Sequence, residues 1–252
     1  MKLNNKLTTK KYWEAYYKQD YTNKQHIISV CSYYDKFWDQ LITTNSSIGK
    51  TIIEIGGFPG RYLAYLSSKY GLTPTCLDYN SDTSQIEASF KTMGVSNYNI
   101  LQEDFTNYKP KQQYDFVISN GFIEHFDDFE TILDLHVQYL KPGGMMLVMI
   151  PNKRYFRRIY GYLCDYKNLK AHNLKCMKLK TFKTFASRNK LTLNTLQYYG
   201  GFPFAVHQQL NVFQKIIYKI TIGCFKILNP SLMKHPSKYL SASIIAIFEK
   251  PY

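Results

Sequence analysis

The chain has 252 residues, of which 45% are hydrophobic and 20% charged, so it has the size and composition of one sizeable α/β domain with elaborations. Its formal net charge is +14, and twelve Lys or Arg against one acid, Asp165, lie between Lys153 and Lys190. Such a segment attracts phosphate, nucleic acid or an anionic membrane surface, or else forms a solvated basic face.

Cysteine usage and apolar runs exclude several other classes. The five cysteines form no C-x-x-C pair and are odd in number, which argues against a disulfide framework, and we expect no metal site. No apolar run reaches the length of a membrane span, and the polar start, Met1 to Lys11, lacks the apolar core of a signal peptide. We therefore expect a cytoplasmic protein.

The first predicted element is an aromatic-rich leader, Tyr12 to Leu41, which we interpret as one or two helices in an extension over residues 1–48. From about Gly49 onward, short apolar runs alternate with helical patterns, as in a parallel sheet flanked by helices. The predicted strands are Thr51–Ile55, Thr75–Leu77, Asn99–Gln102, Tyr114–Ser119 and Met145–Ile150. The predicted helices are Tyr62–Tyr70, Ser81–Thr92 and Phe129–Leu140, with a Pro142-Gly143-Gly144 turn before the fifth strand.

Beyond Pro151 the pattern is looser. One helical face is predicted from Leu174 to Ala186, and two late strands from Leu191–Tyr199 and Ser243–Phe248. Between those strands lies an insertion, about residues 200–240. Its amphipathic part, Val206–Leu228, has one apolar stripe: Leu210, Phe213, Ile217, Ile220 and Cys224. A substrate-covering lid or dimer face, a core helix and a peripheral membrane contact all remain open for it. The sequence predicts one domain over residues 49–252.

The strongest local signal runs from Ile52 to Gly60, where a buried strand ends in an acid and a glycine-rich turn leads into a helix. Glycines there let the backbone adopt positive φ and approach a ligand closely. A dinucleotide-binding G-x-G-x-x-G starting at Gly56 fails twice, because Phe58 and Arg61 stand where glycines are needed.

Four more features follow this turn in chain order. They are Leu77-Asp78 after the second strand, Glu103-Asp104-Phe105 after the third, Ser119-Asn120-Gly121 leading into Phe122-Ile123-Glu124-His125-Phe126 after the fourth, and Leu140-Lys141-Pro142-Gly143-Gly144 before the fifth. An acid at Asp78 can accept hydrogen bonds from two ribose hydroxyls. Taken singly, each feature also fits a purely structural role. Glu54 could pair with a lysine, Asp78 could cap the following helix, and a Pro-Gly-Gly turn is useful in any α/β protein.

Together these features resemble the motifs of class I, Rossmann-like, S-adenosylmethionine-dependent methyltransferases, over residues 50 to 150. Glu54, Gly56 and Gly60 match the first motif, whereas Phe58 replaces its middle glycine. The resemblance implies a three-layer sandwich around a mostly parallel seven-stranded sheet whose last strand is antiparallel. It also implies that S-adenosylmethionine is the cofactor.

The same resemblance implies where that cofactor binds. An acid at Asp104 would receive the adenine amino group, a neighbour such as Phe105 would pack on the ring, and the segment after the fourth strand would lie under the methionine part. The implied cofactor-binding residues are Glu54, Gly56, Gly57, Phe58, Gly60, Asp78, Tyr79, Asp104, Phe105, Asn120 and Gly121.

The acceptor is less well defined by the sequence. His125, just past the fourth strand, is the candidate general base for an oxygen acceptor, although it also fits a loop histidine with no catalytic role. His172 and His207 are candidates for the acceptor pocket. The Asn/Asp-Pro-Pro-Tyr motif of nucleobase and glutamine methyltransferases is absent after the fourth strand. We expect Arg154, Arg157 or Arg158 to contribute to binding an anionic acceptor.

The overall pattern, with the aromatic leader and Tyr198 to Phe202, resembles bacterial small-molecule methyltransferases of surface-glycan pathways. A phosphorylated or nucleotide-linked acceptor would suit the basic run. An RNA methyltransferase and a non-catalytic relative are the alternatives, and a homodimer or peripheral membrane contact is open. No RNA-binding module is recognisable in the sequence, so nucleic acid is the less favoured partner.

Overall fold

The computed structural model describes residues 6–16, 22–42 and 47–252. Residues 1–5 of the predicted polar start, residues 17–21 of the aromatic leader and residues 43–46 of the predicted extension lie outside the described residues. Within the described part of the leader there are three helices rather than one or two: α1 (Lys10–Tyr16), α2 (Lys24–Ser32) and α3 (Asp35–Leu41). The Asn23 side chain accepts a hydrogen bond from the His26 N–H and so starts α2 as a separate helix.

Seven strands form one mixed sheet in the order β3-β2-β1-β4-β5-β7-β6 among the described residues. The strands are β1 (Thr51–Ile55), β2 (Thr73–Asp78), β3 (Asn99–Gln102), β4 (Tyr114–Asn120), β5 (Leu140–Pro151), β6 (Thr192–Tyr199) and β7 (Ser243–Glu249). All pairings from β3 to β5 are parallel, whereas β7 runs antiparallel to both β5 and β6. The predicted seven-stranded sheet with an antiparallel last strand is confirmed.

The central strands are apolar on both faces because helices cover both sides of the sheet. Ile52 faces a core with residues of α2, α3, α4 (Arg61–Tyr70) and α5 (Ser84–Thr92), whereas the adjacent Ile53 faces a core with α6 (Phe129–His136) and α9 (Leu179–Arg188). This alternation with period two gives the predicted three layers. The strand order reverses between β1 and β4, so their carboxyl ends frame a crevice.

Two predicted boundaries shift for local reasons. Helix α5 begins at Ser84 rather than Ser81, because successive side chains at Asp78, Asn80 and Asp82 each accept a hydrogen bond from the backbone N–H two residues later. The helix predicted to reach Leu140 ends at His136 and is followed by a 3₁₀ turn, Val137–Tyr139.

Strand β5 starts at Leu140 and passes through the predicted Pro142-Gly143-Gly144 turn. Gly143 has φ +71°, and the pairing of β4 with β5 shifts register between Tyr114 and Phe116. The glycines therefore make an irregularity inside a strand rather than a turn before one.

The region after Pro151 contains two helices that the sequence did not predict, α7 (Phe156–Cys164) and α8 (Tyr166–Lys170). They were missed because α7 buries only a narrow side, with Tyr160 and Cys164, and exposes apolar residues elsewhere. The helical face expected from Leu174 becomes α9, which begins at Leu179 and buries Phe182, Phe185 and Ala186.

The amphipathic part of the insertion forms α10 (Val212–Lys234), six residues later than its predicted start at residue 206. Asn211 and Gln214 form a capping box that fixes its first turn. The predicted stripe is only partly buried: Leu210 and Ile217 pack against the core cluster that contains Phe225, whereas Phe213 is 66% and Ile220 62% exposed. The helix packs on α7, and its stripe is therefore core on one side only.

Among the helices in the described ranges, none has both the length and the hydropathy that crossing a bilayer requires. The five cysteines, all within the described residues, are free thiols, and four of them are buried.

Candidate active site

The turn after β1 holds its shape through glycines at two positions. Gly56 has φ +70°, and a Cβ added there would lie 2.3 Å from the Phe122 ring, so no other residue fits. Gly60, with φ +85°, is the N-cap of α4. Phe58, which replaces the family's middle glycine, needs no positive φ; its side chain is buried in the core and its N–H donates to the Asp78 carboxylate at 3.2 Å. The turn therefore accommodates the substitution.

Three carboxylates lie at or near the carboxyl ends of β1, β2 and β3, but their surroundings differ. Glu54 is buried behind the turn, where Asn120 Nδ2 donates to its Oε1 at 2.8 Å and its Oε2 has no hydrogen-bond partner among the described residues. Burial raises the pKa of Glu54 to about 8, although the Asn120 hydrogen bond partly offsets the shift. No lysine among the described residues forms an ion pair with Glu54, although the charge of Arg61 also lowers its pKa.

Asp78 and Asp104 are the carboxylates that reach the crevice. Asp78 accepts hydrogen bonds from the N–H groups of Phe58 and Asn80, and burial raises its pKa. Burial alone would raise the pKa of Asp104 as well, but the hydrogen bonds from Lys6 and Thr106 lower it. Both carboxylates thus face one cavity, and hydrogen bonds from neighbouring groups of the protein fix their positions.

That cavity, which we name the donor pocket, has a volume of about 690 Å³ including its open mouth. Most of the residues predicted to bind the cofactor line it, and they come from the ends of β1, β2, β3 and β4: Gly56, Phe58, Asp78, Tyr79, Asp104, Phe105, Asn120 and Gly121. Glu54, Gly57 and Gly60 are not part of its lining. They lie one layer behind, where a Cβ on Gly57 would approach Cys76 and one on Gly60 would approach Ile86.

The first described residues of the chain cover this pocket, which the sequence did not predict. Lys6 bonds Asp104 and lies 5.1 Å from the centre of the Tyr79 ring. Its backbone forms a bridge with Phe126, and the Leu7 N–H donates to the His125 carbonyl. Trp13 packs edge-on against the His125 ring with centroids 4.7 Å apart. A lone lysine and tryptophan in a leader carry no pattern that could have indicated these contacts.

A second cavity, the acceptor pocket, adjoins the first and measures about 1430 Å³ including its open mouth. The two cavities share four lining residues: Trp13, Asn120, Gly121 and His125. The acceptor pocket is otherwise lined by aromatic side chains of the leader, by α7 and α8, and by residues 203–207 of the insertion. A group bound in one pocket therefore meets a group bound in the other at the end of β4.

His125 and His172 stand close together on the wall of the acceptor pocket. The ring nitrogen Nδ1 of His125 lies 2.7 Å from the Ala171 carbonyl, and that of His172 lies 2.6 Å from the Asn168 carbonyl. Because a carbonyl only accepts, both Nδ1 atoms carry the proton and both Nε2 atoms carry a lone pair. Burial lowers the pKa of His125 to about 4 and that of His172 well below its usual value, so both rings are neutral near pH 7.

Glu124 completes this group. Its side chain is 1% exposed, burial raises its pKa to about 8, and its Oε1 lies 3.8 Å from His125 Nε2. One ligand atom from each of Glu124, His125 and His172 lies within 4.8 Å of the other two. Among the described residues, this is the cluster whose donor atoms could hold a metal ion.

Positive side chains reach the acceptor pocket, but only some of those predicted. Arg157 lines it, held by hydrogen bonds from Nη1 to the Asn152 and Ala242 carbonyls at 2.9 and 2.6 Å. Lys153 lines it too, and burial together with the charge of Arg157 lowers its pKa to about 7. Arg154, which lies over the Tyr155 ring, and the exposed Arg158 are not part of the lining. Lys153 and Arg61 were not among the predicted acceptor-binding residues, although both line the pocket, Arg61 from α4.

His207 lines the acceptor pocket as expected, and it connects the insertion to the leader. Its ring contacts the Asp165 carboxylate at 3.1 Å through Nδ1 and the Tyr16 hydroxyl at 3.1 Å through Nε2, and it stacks on the Tyr16 ring. The leader and the insertion therefore meet over the acceptor pocket.

Comparison with known proteins adds a family to this geometry. A family model described as a methyltransferase domain matches residues 30–195. The ribosomal RNA small subunit methyltransferase G of Aromatoleum aromaticum is 30% identical over 113 residues, which are 43% of this chain and 49% of that protein. The chain thus spans about half the length of this curated relative.

Two solved structures share the fold at low sequence identity. One is described as a candidate sarcosine dimethylglycine methyltransferase from Galdieria sulphuraria, with TM-score 0.63, 14% identity and coverage of 96% of this chain and 98% of that one. The other is the phosphoethanolamine N-methyltransferase 2 of Haemonchus contortus in complex with S-adenosyl-L-methionine, with TM-score 0.56, 13% identity and coverage of 95% and 60%.

Proposed function

The chain belongs to the methyltransferase domain family, in the S-adenosylmethionine-dependent class, and from this premise we propose that it methylates a small anionic acceptor. The acceptor class is a phosphorylated or nucleotide-linked molecule of a surface polysaccharide or related pathway. The observation that carries the proposal is the shared wall of the two pockets at Asn120, Gly121 and His125. A donor and an acceptor held on either side of that wall have their reacting groups side by side.

The donor pocket fits S-adenosylmethionine in its own chemistry. Asp78 and Asp104 supply carboxylates for hydroxyl and amino groups, and Phe105 supplies an aromatic face. Gly56 leaves room for close approach, since a Cβ there would fill the space against Phe122. The donor supplies an electrophilic methyl group; the chain's residues orient it and exclude water around it.

The size and charge of the acceptor pocket support the acceptor class. Tyr12 and Tyr16 of the leader and Pro203 and His207 of the insertion roof the pocket, which suits a small molecule better than a folded nucleic acid. Lys153, Arg157 and Arg61 supply positive charge for a phosphate. His125 presents its Nε2 lone pair to the pocket, and we assign it the role of activating the acceptor.

An RNA methyltransferase is the second candidate, and two observations favour it. The relative from Aromatoleum aromaticum is named for ribosomal RNA, and the chain carries a net charge of +14. One observation argues against an RNA acceptor. Of the lysines and arginines between Lys153 and Lys190, only Lys153 and Arg157 line the acceptor pocket. We therefore prefer a small acceptor.

Helix α10 also bears on where the protein acts. Its outward side exposes an apolar stripe that includes Val212, Ile216 and Ile227, at 77%, 52% and 80% exposure. Lysines lie beside the stripe, and the helix contains no acid. A long helix with an exposed apolar face bordered by lysines suits the surface of an anionic membrane. A face-to-face homodimer is the competing occupant.

The test of the proposed function is methyl transfer from a donor labelled in its methyl group. Purified protein is incubated with phosphorylated sugars, sugar nucleotides, phospho-amines and RNA in separate reactions. We expect label in a small anionic product, and at least tenfold slower turnover in Arg157→Ala at low acceptor concentration, because a charged hydrogen bond is lost. Arg158→Ala, on the exposed side of α7, is the control. Label found only in RNA would overturn the small-acceptor proposal.

A further inference from the structure

The acceptor pocket contains a group of three side chains that no sequence motif had connected. Glu124 and His125 lie in the 3₁₀ turn Ile123–His125 after β4, and His172 follows α8. His172 lies 47 positions after His125, yet one donor atom of each of the three residues lies within 4.8 Å of the other two. The group opens into the acceptor pocket, whose lining includes all three.

The hydrogen bonds of both histidines leave the atoms suited to metal binding unoccupied. Nδ1 of His125 donates to the Ala171 carbonyl and Nδ1 of His172 to the Asn168 carbonyl, at 2.7 and 2.6 Å. This arrangement orients each ring and leaves the lone pair on Nε2. Metal-ligating histidines in proteins typically hold their second nitrogen in the same way.

The carboxylate of Glu124 supplies the second argument. Its Oε2 is buried and has no hydrogen-bond partner among the described residues. A buried carboxylate oxygen without a partner is costly, and a bound cation is one way to satisfy it. The nearby His125 Nε2, at 3.8 Å from Oε1, cannot serve as that partner while its proton is on Nδ1.

We propose that Glu124, His125 and His172 bind one divalent transition-metal ion at the wall of the acceptor pocket. Two imidazole nitrogens and one carboxylate suit Zn²⁺, Fe²⁺, Co²⁺, Ni²⁺ or Mn²⁺ better than Ca²⁺ or Mg²⁺, which prefer oxygen ligands. Three protein ligands leave coordination positions open toward the pocket. This proposal replaces the expectation of a metal-free site and gives His125 its part in acceptor activation as a ligand.

The metal site deepens the proposed function and rests on it, because it selects the kind of acceptor. A divalent ion lowers the pKa of a hydroxyl that it binds, so the O–H proton leaves to solvent. The resulting oxygen lone pair attacks the donor's methyl carbon, an O–C bond forms, and the electron pair of the broken C–S bond stays on sulfur. The site therefore favours O-methylation of a hydroxyl over N-methylation.

Lys153 gives the proposal a sharp internal test. It lines the same pocket, and its charge acts on Glu124, His125 and His172. A nearby positive charge opposes binding of a cation, so replacing Lys153 by Met should strengthen metal binding. A cluster that bound no metal would show no such effect.

The experiment is a Co²⁺ titration of chelator-treated full-length protein, followed by visible absorbance. It uses a Cys224→Ser background, because that exposed thiol is a competing ligand. We expect one equivalent of Co²⁺ to bind. His125→Asn and His172→Asn keep a donor near the Nδ1 position and remove Nε2, and each should weaken binding about tenfold or more. His26→Asn, on the exposed side of α2, should leave it unchanged.

Failure of this proposal is distinguishable from failure of the proposed function. Absence of a saturable one-equivalent signal, or unchanged affinity in His172→Asn with its melting temperature maintained, overturns the metal site. Equal affinity in Lys153→Met and in the parent protein also counts against it. If the metal-free protein still transfers methyl groups at the parent rate, the metal's part in activating the acceptor is wrong and the proposed function stands. If Co²⁺ binds as expected and no acceptor is methylated, the proposed function is wrong instead.

Discussion

At the scale of single residues, burial decides what each carboxylate can do. Glu54, Asp78 and Asp104 lie at or near the ends of three neighbouring strands, and all three were predicted to bind the cofactor. The structure separates them: Asp78 and Asp104 line the donor pocket, whereas Glu54 lies behind it and supports Asn120. Position along the strand explains the difference, because Glu54 lies inside the buried strand β1, whereas Asp78 ends β2 and Asp104 follows β3.

Glu54→Gln tests this supporting role through pH. The glutamine keeps an oxygen for the Asn120 amide but cannot ionise. Since burial raises the pKa of Glu54 from 4.5 to about 8, the folded protein holds a proton that the unfolded chain releases. That contribution to stability is fully present below pH 4.5 and is lost as pH rises through about 8.

The melting temperature of the parent protein should therefore fall relative to that of Glu54→Gln between pH 5 and pH 8, by several degrees. Scanning calorimetry of both proteins across this range measures the difference. Glu130→Gln, at an exposed position in α6, should show no such trend. A constant difference between Glu54→Gln and the parent at all pH values would contradict the assigned burial.

At the scale of elements, the strands were predictable, including the late strands β6 and β7, whereas several helices on the two flanks were not. Strands β1 to β5 have strong apolar runs and turn signals, so their order and most bounds follow from local pattern. Helix α7 and the buried face of α10 were missed because these helices carry apolar residues on more than one side. The position of the N-terminal residues over the donor pocket was not predicted. It depends on contacts of Lys6 and Trp13 with residues about a hundred positions later in the chain, Asp104 and His125.

Trp13→Ala tests that cover. Trp13 lines both pockets and packs on His125, so its loss should open the donor pocket to water and weaken donor binding. Loss of one aromatic contact predicts a dissociation constant roughly tenfold higher by calorimetry. Tyr239→Ala removes an aromatic side chain outside both pockets and should leave the constant unchanged. Equal donor affinity in Trp13→Ala and the parent would show that the leader is not part of the site.

At the scale of the whole molecule, an exposed apolar surface on α7 and α10 adjoins the first part of the basic run, which includes Arg157 and Arg158 of α7. Helices α7 and α10 pack on each other and expose Ile159, Tyr162, Phe213 and Ile220, each more than half exposed. Only Asp165 interrupts the basic run from Lys153 to Lys190, and it is engaged by His207. This surface lies outside both pockets, so a membrane could bind it without closing the site.

Vesicle flotation tests this surface. The parent protein should float with vesicles containing phosphatidylserine and remain behind with neutral ones, and high salt should release it. The double variant Ile216→Asp and Ile220→Asp should lose flotation, whereas Ile48→Asp, at an exposed position far from α10 in sequence, should retain it. If the double variant instead converts a dimer to a monomer in size-exclusion chromatography and the parent never floats, the face is a homodimer interface.

The central claim is that the crevice at the ends of β1, β2 and β4 binds the methyl donor, and calorimetry with S-adenosylhomocysteine tests it most directly. We expect one site per chain, and Asp78→Ala should bind at least tenfold more weakly because a charged hydrogen-bond acceptor is lost. Asp82→Asn keeps a side-chain acceptor in the adjacent turn and should bind like the parent. No heat of binding in the parent, or equal affinity in Asp78→Ala, would contradict the account.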